Sequence, residues 1–274
     1  INLHLPQYGK LDHYVASLYW AFTTMTTVGY GDITPVNRNE SIAAIAIMIV
    51  GATRGIGLEL TKQYAEEGNT VIACARDLSA ASQLDELSAG SEKIRVEELD
   101  IAESSSIDSA ASRIGKDSID SIIIVAGYVG GMPENQTIDN IDLDEWHRTL
   151  NINTIGPLLV AKAFKENLSS SGNGNFMILS SQLAASTWPM GGMYVYSTTK
   201  AAVSKVGQIL ALDWAEDPII VSIMHPGWVQ TDMGGPAAEI TAEESASGIR
   251  NVLSGLKKED SGNFYKWNGE IHPW

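Results

Sequence analysis

Ile45-Ala46-Ile47-Met48-Ile49-Val50-Gly51-Ala52-Thr53-Arg54-Gly55-Ile56-Gly57 is the stretch whose reading decides the fold. Its apolar run, Ile45 to Val50, predicts a buried strand. Glycines then recur as G-x-x-x-G-x-G at Gly51, Gly55 and Gly57. The following Leu58 to Gly68 places apolar side chains at Leu58, Leu60, Tyr64 and Ala65 and stops on glycine, the pattern of an amphipathic helix. A strand, a glycine turn and a helix make a phosphate cradle. Glycine lets the backbone turn sharply and approach a pyrophosphate, while the helix N-terminus offers free N–H groups and a positive dipole end. The spacing is not the G-x-G-x-x-G of most dinucleotide folds. Three glycines after a strand also suit an ordinary tight turn.

Downstream, strand and helix patterns alternate. Strands are expected at Thr70–Ala75, Ile94–Leu99, Ile119–Val125, Asn175–Ser180, Ile219–Met224 and Gly262–Trp267. Between them lie helical patterns at Ser79–Leu87 with Ser79 as cap, Ile107–Ile114, Leu143–Leu168 with a break at Pro157, Tyr194–Trp214 and Ala242–Leu256. Strict alternation of apolar strands with helices predicts an α/β fold of about seven strands, with a doubly wound parallel sheet covered on both faces. Ligands then bind beyond the carboxyl ends of the strands.

Composition narrows the function classes. The 274-residue chain is 44% apolar, enough for one large α/β domain with a sizeable core. A formal net charge of −15 argues against nucleic-acid binding and against an anionic membrane surface. The single cysteine, Cys74, falls in a predicted strand, where a small buried apolar role suits it better than nucleophilic chemistry. One cysteine forms no disulfide within the chain, which fits a reducing compartment, and a cytoplasmic location is expected. Asn135-Gln136-Thr137 and Asn167-Leu168-Ser169 match a glycosylation pattern that such a location makes incidental. Ile1 to His13 does not read as a secretory leader. No metal-ligand cluster is read.

Tyr196-Ser197-Thr198-Thr199-Lys200 lies on the predicted long helix, where a spacing of four sets Tyr196 and Lys200 on one face. A phenol near pKa 10 is a poor acid–base group at neutral pH, and a neighbouring ammonium is expected to lower that value. Such a pair gives a proton to a carbonyl oxygen or takes one from an alcohol. Alone, the spacing is common and suits a surface pair.

Two resemblances organise the rest. The glycine turn, Asn153-Thr154-Ile155-Gly156, Ser181, Tyr196-x-x-x-Lys200 and Pro226-Gly227 occur in an order that resembles the short-chain dehydrogenase/reductase family over about residues 44–274. Met193 to Tyr196 and His225 to Gly235 look like its carbonyl reductases of the sniffer and C-factor type. The resemblance implies a Rossmann-type fold and a hydride transfer between a nicotinamide and a carbonyl or alcohol. It implies that Tyr196 is the acid–base group and that Lys200 lowers its pKa and holds the nicotinamide ribose. Ser181, with Ser180 as runner-up, would bind the substrate oxygen, and Asn153 would hold a water linking Lys200 to solvent. Gly51, Thr53, Arg54, Gly55, Ile56, Gly57, Arg76, Asp100, Ile101, Ala126, Gly127, Pro226, Gly227, Val229 and Thr231 would line the cofactor site, with Asp100 and Ile101 at the adenine and Thr231 at the carboxamide. Asn153 also reads as a kink residue near Pro157.

Within that family, an acid at the end of the second strand would bond the ribose 2′-OH and select NAD. Ala75-Arg76 stands there, and Arg54 lies in the cradle, so NADP(H) is expected over NAD(H). Asp77 dissents, since turned inward it would repel a 2′-phosphate. Two departures concern the cradle: Val50 replaces the family's Thr before the first glycine, and Ile124-Val125-Ala126-Gly127 replaces Asn-Asn-Ala-Gly. Losing both polar partners together can be nearly neutral.

Residues 14–52 carry the second resemblance. Thr26-Thr27-Val28-Gly29-Tyr30-Gly31-Asp32 resembles the selectivity filter of potassium channels, Tyr14 to Met25 its pore helix, and Glu40 to Ala52 the start of the next helix. The apolar run Ile42 to Val50 is about half of a membrane span. Residues 1–40 therefore read as an appendage that does not act as a pore, with Asn37 to Glu40 as linker and 41–274 as the dinucleotide-binding domain. The competing functions are a catalytically weak dinucleotide-binding regulator, for which Val50 and Val125 are the motive, and a pore fragment. The partner is a small carbonyl or alcohol substrate. Trp188, Met190, Met193, Trp228 and Met233 would suit either an apolar pocket or core packing, and the long helix could pair across a homo-oligomer.

Overall fold

Apolar side chains alternate between two faces of each strand, and both faces need cover. The computed structural model, which describes residues 45–131 and 136–274, shows how they get it. The strands are β1 Ala46–Val50, β2 Thr70–Ala75, β3 Ile94–Glu98, β4 Ser121–Ile124, β5 Gly174–Leu179, β6 Ile219–His225 and β7 Phe264–Lys266. They form one seven-stranded sheet in the order β3-β2-β1-β4-β5-β6-β7, and every pairing is parallel. The helices are α1 Gly55–Glu66, α2 Ser82–Ala89, α3 Ser104–Ile114, α4 Leu143–Leu150, α5 Gly156–Ser170, α6 Tyr194–Asp213 and α7 Ala242–Gly255. Met48 and Val50 of β1 pack with α3, α5 and α6 through Ile107, Phe164 and Val203. Ile47 and Ile49 pack with α1, α2 and α7 through Leu60, Leu84 and Ile249. The α/β expectation of a doubly wound parallel sheet holds, and strand order reverses between β1 and β4, where such sheets open a binding crevice.

Local differences have local causes. The helix expected from Ser79 begins instead at Ser82, because the Asp77 carboxylate captures the backbone N–H and the hydroxyl of Ser79 at 2.9 and 2.6 Å and closes a short turn over Leu78–Ala80. The break expected at Pro157 is a π-helical turn over Asn151–Ile155, after which Pro157 sits in the first turn of α5. Val50 and Ile124 are register partners, both buried in the same apolar cluster, so the two departures at the cradle form an apolar pair with no orphaned hydroxyl or amide. The Val50 carbonyl accepts the N–H groups of Val125 and Ala126 at 2.9 and 2.8 Å. Cys74 is buried, as expected, and burial pushes its thiol far above the usual range. Among the described residues no helix is long and apolar enough to cross a membrane. The channel-like segment Tyr14–Asp32 and its linker lie outside the described residues.

Candidate active site

The glycine turn leaves β1 and crosses the sheet at the switch point. Gly51 has φ +97° and Gly55 φ +53°, values that side-chain-bearing residues rarely adopt. A Cβ on Gly57 would overlap the carbonyl of Gly51, and one on Gly51 would lie 2.7 Å from the nitrogen of Ala126. No side chain caps α1, and its first turn holds no acid, so its N-terminal N–H groups and dipole face the turn uncompensated. That is the donor set an anionic pyrophosphate needs, so the turn fits a dinucleotide. The loop after β6 reaches over it: a Cβ on Gly55 would lie 3.0 Å from the Thr231 methyl, and Arg54 pairs with Asp232 at 2.8 Å. Both partners are exposed. The same loop anchors Pro226 through the Ser245 hydroxyl, turns at Gly227 with φ +91°, and buries Val229.

Beyond β2 and β3 lies a cleft of about 400 Å3 lined by Arg76, Asp100, Ala102, Glu103, Arg148, Asn151 and Ile152. Arg148 and Asn151 are additions to the sequence reading, brought in by α4 and the π-helical turn. Arg148 stacks 4.8 Å from the Tyr128 ring and pairs with Glu145 at 3.3 Å. Asp100 bonds the N–H of Ala102 at 2.9 Å, while Ile101 is buried in the core. Asp77 is tied back to Ser79 and its carboxyl is held below the usual value by those bonds. A larger cleft of about 580 Å3 between α7 and the residues after β7 is lined by none of the expected site residues.

The catalytic candidates meet at the end of β5. Ser180 is buried and bonded to Lys200 O at 3.1 Å and Ser204 Oγ at 2.7 Å, which fastens β5 to α6. Ser181 is the serine near enough to the Tyr196 phenol for its hydroxyl to draw the phenol's pKa down. Lys200 lies one turn on from Tyr196, its Nζ 5.9 Å from the ring centroid and donating to Leu179 O at 2.8 Å. A Cβ on Gly127 would lie 3.2 Å from that Nζ, so the strand exit at Gly127 leaves room for the ammonium.

Burial dominates the electrostatics of both Tyr196 and Lys200. Burial pushes the Tyr196 phenol above its usual pKa, and the Ser181 hydroxyl is what pulls the other way. Burial penalises the charge of Lys200 and drops its pKa to about 8, and its ammonium is turned to a carbonyl.

Asn153 is held in place by three side-chain hydrogen bonds. Its Oδ1 accepts Tyr128 N–H at 2.8 Å, and its Nδ2 donates to Tyr128 O at 2.8 Å and Thr199 Oγ1 at 3.0 Å. Both amide hydrogens are thus engaged in tying the loop after β4 to α6. Sequence reasoning missed Gln136, whose Oε1 accepts the Tyr196 N–H at 3.1 Å while its Nε2 donates to Val129 O at 2.7 Å. The start of α6 has no cap of its own, and Met193 before it has φ +53°. A buried polar residue in a loop carries no local signal for such a role.

A family model for short chain dehydrogenases matches residues 45–241, and the chain belongs to that family of oxidoreductases. A second model, for an ion channel, matches residues 7–54, so β1 and the start of the glycine turn fall under both. An uncharacterized oxidoreductase of Schizosaccharomyces pombe is 30% identical over 245 residues, covering 82% of this chain and 96% of the relative. The carbonyl reductase Sniffer of D. melanogaster superposes with a TM-score of 0.78 at 26% identity, over 84% of this chain and 99% of that one. An NADPH-bound carbonyl reductase from chicken fatty liver gives 0.76 at 28% identity, over 84% and 94%.

Proposed function

We propose that the chain is an NADP(H)-dependent carbonyl reductase in which Tyr196 is the acid. The observation that carries this reading is the meeting of Ser181, Tyr196 and Lys200 at the end of β5, beside a glycine turn with an uncapped helix N-terminus. Gly51, Gly55 and the N-terminus of α1 would hold the pyrophosphate, Arg76 and Arg148 the 2′-phosphate end, and Lys200 with Thr231 the nicotinamide end. A bound nicotinamide dinucleotide supplies the hydride. The protein's part is the proton and its placement.

As negative charge grows on the substrate oxygen, Ser181 Oγ and Tyr196 Oη are the donors positioned for it. With its pKa raised, Tyr196 is protonated at neutral pH, the form that donates. Reduction should therefore run freely at neutral pH, and oxidation, which needs phenolate, should rise only on the alkaline side. Exposed Trp188, Met190, Trp228 and Met233 on the loops after β5 and β6 suit a carbonyl compound with an apolar body. The chicken enzyme's bound NADPH supports the choice of cofactor, as do the two arginines in the cleft.

Tyr196→Phe keeps the ring and removes the hydroxyl. Turnover of an aldehyde panel should fall roughly a hundredfold or more, while dinucleotide affinity stays within about twofold. Unchanged turnover would return the choice to a dinucleotide-binding regulator. Residues 1–40 are proposed to play no part in this chemistry, because every residue assigned to it lies within the unit Ile45–Trp274.

A further inference from the structure

We propose that His225 is a positioning residue: its ring nitrogen replaces a main-chain acceptor at the end of the sheet and sets the turn that aims Ser181 at Tyr196. The inference rests on the roles given above to those two residues.

β5 and β6 pair in parallel through Leu179↔Met224, and Ser180 N–H donates to Met224 O at 2.7 Å. A parallel ladder would next join Gln182 N–H to Pro226 O. Instead, Pro226 O accepts the Ser245 hydroxyl of α7 at 2.6 Å, and Gln182 N–H turns to His225 Nδ1 at 3.3 Å. The ladder stops one step early, and the imidazole takes the orphaned donor. The residue freed between the two bonds is Ser181, whose Oγ accepts Leu183 N–H at 3.2 Å and meets the phenol. The far side of the turn is held as well, since Ser186 Oγ and Thr187 Oγ1 donate to Trp274 O at 3.1 and 3.3 Å.

Because Gln182 donates, His225 Nδ1 carries no proton, and the neutral ring holds it on Nε2. The surroundings keep the ring neutral. It is buried, edge-on to His272 at 5.4 Å, and His272 in turn stacks on Phe264 at 4.5 Å. The ionisable groups that reach it are His272 and its β7 register partner Lys266, whose ammonium is held by Glu270 at 2.6 Å. Burial, His272 and Lys266 all oppose a second positive charge and bring His225 to about 4. No proton transfer at Tyr196 involves this ring.

The test uses the whole chain with NADPH and benzaldehyde as probe. His225→Phe keeps the ring's shape and removes the acceptor, so kcat should fall roughly tenfold to a hundredfold with dinucleotide affinity unchanged. His225→Asn returns an acceptor near Nδ1 and should recover most of that loss. Nitrogen-15 NMR of the parent should show His225 with Nδ1 bare and Nε2 protonated. This readout needs neither turnover nor a folded variant. Parental kcat in His225→Phe, no recovery in His225→Asn, or a protonated Nδ1 would each overturn the proposal. Ser181→Ala separates the two readings. If it turns over like the parent, the role of Ser181 falls and takes this inference with it. A slow Ser181→Ala beside a parental His225→Phe sinks the inference alone.

Discussion

The two ends of the binding crevice are built by opposite means. At the glycine turn the site is made by missing side chains, since any Cβ on Gly57 would overlap the chain. At the end of β5 it is made by side chains taken out of water, with Lys200 only 4% exposed and both it and Tyr196 shifted toward neutrality. One end is a question of room, the other of charge. A change at the first should therefore lose stability and binding together. At the second, function and stability should part, because a buried charge is kept against its desolvation penalty.

Gly57→Ala is the largest test. The added methyl should abolish dinucleotide binding and cost about 3 kcal/mol of stability by overpacking. A variant that melts and binds like the parent would remove the distinction at its first end.

Lys200→Met should show the opposite sign. The fall of Lys200 from 10.5 to about 8 on folding corresponds to a penalty of ~3 kcal/mol. Losing the bond to Leu179 O returns part of that, leaving the variant about 2 kcal/mol more stable at pH 7 while turnover and dinucleotide affinity fall. The pH dependence fixes the cause. Between about 8 and 10.5 the unfolded chain binds more protons at Lys200 than the folded one, so parental stability rises with pH across that window. Below it the penalty is present in full. The Met variant should lack the rise, so its lead of about 2 kcal/mol should vanish and the parent should overtake it before pH 10.5. A Met variant less stable than the parent at pH 7 would contradict the reading of Lys200 as a strained charge.

Arg76→Asp acts at the cleft beyond β2. Preference should move from NADPH toward NADH by roughly tenfold or more, as a ratio of dissociation constants, because a carboxylate there repels a 2′-phosphate. Arg54→Ala should move the ratio less, since Arg54 is engaged by Asp232. Equal effects would mean that the Asp232 pair opens readily. The smallest effect is expected from a chain beginning at Ser41, which should fold, bind and turn over as the whole does. Failure to fold would show that the preceding residues complete the core.

Much of this was legible because it is written locally. The glycine spacing at Gly51, Gly55 and Gly57 and the four-residue step from Tyr196 to Lys200 need only neighbouring residues to be read. So does the alternation that defines the two-faced sheet. What stayed hidden depends on placement at long range. Gln136 and Arg148 carry no pattern of their own, and the contacts of Gln136, Arg148 and His225 exist only once the loop after β4 meets α6, α4 meets the cleft beyond β2, and the end of β6 meets the turn after β5. The surroundings of Tyr196 are long-range too. Spacing puts a cation one turn away, but only folding shows how deeply the phenol is buried and that the ammonium faces Leu179. At Ser79 the reading chose the right kind of residue for a cap, while Asp77 two residues earlier held the stronger acceptor.

The π-helical turn at Asn151–Ile155 makes the length of this stretch as exacting as its composition. It inserts one residue into a run that is otherwise helical from Leu143 to Ser170. Deleting any one of those five residues would restore ordinary winding and redirect the side chains of the turn itself. Asn153 would then leave Tyr128 and Thr199, and Thr154 would leave the Thr199 carbonyl. Thr199 Oγ1 itself donates to Tyr196 O at 3.0 Å. A single-codon deletion here, far along the chain from Tyr196, would reach it through two hydrogen bonds.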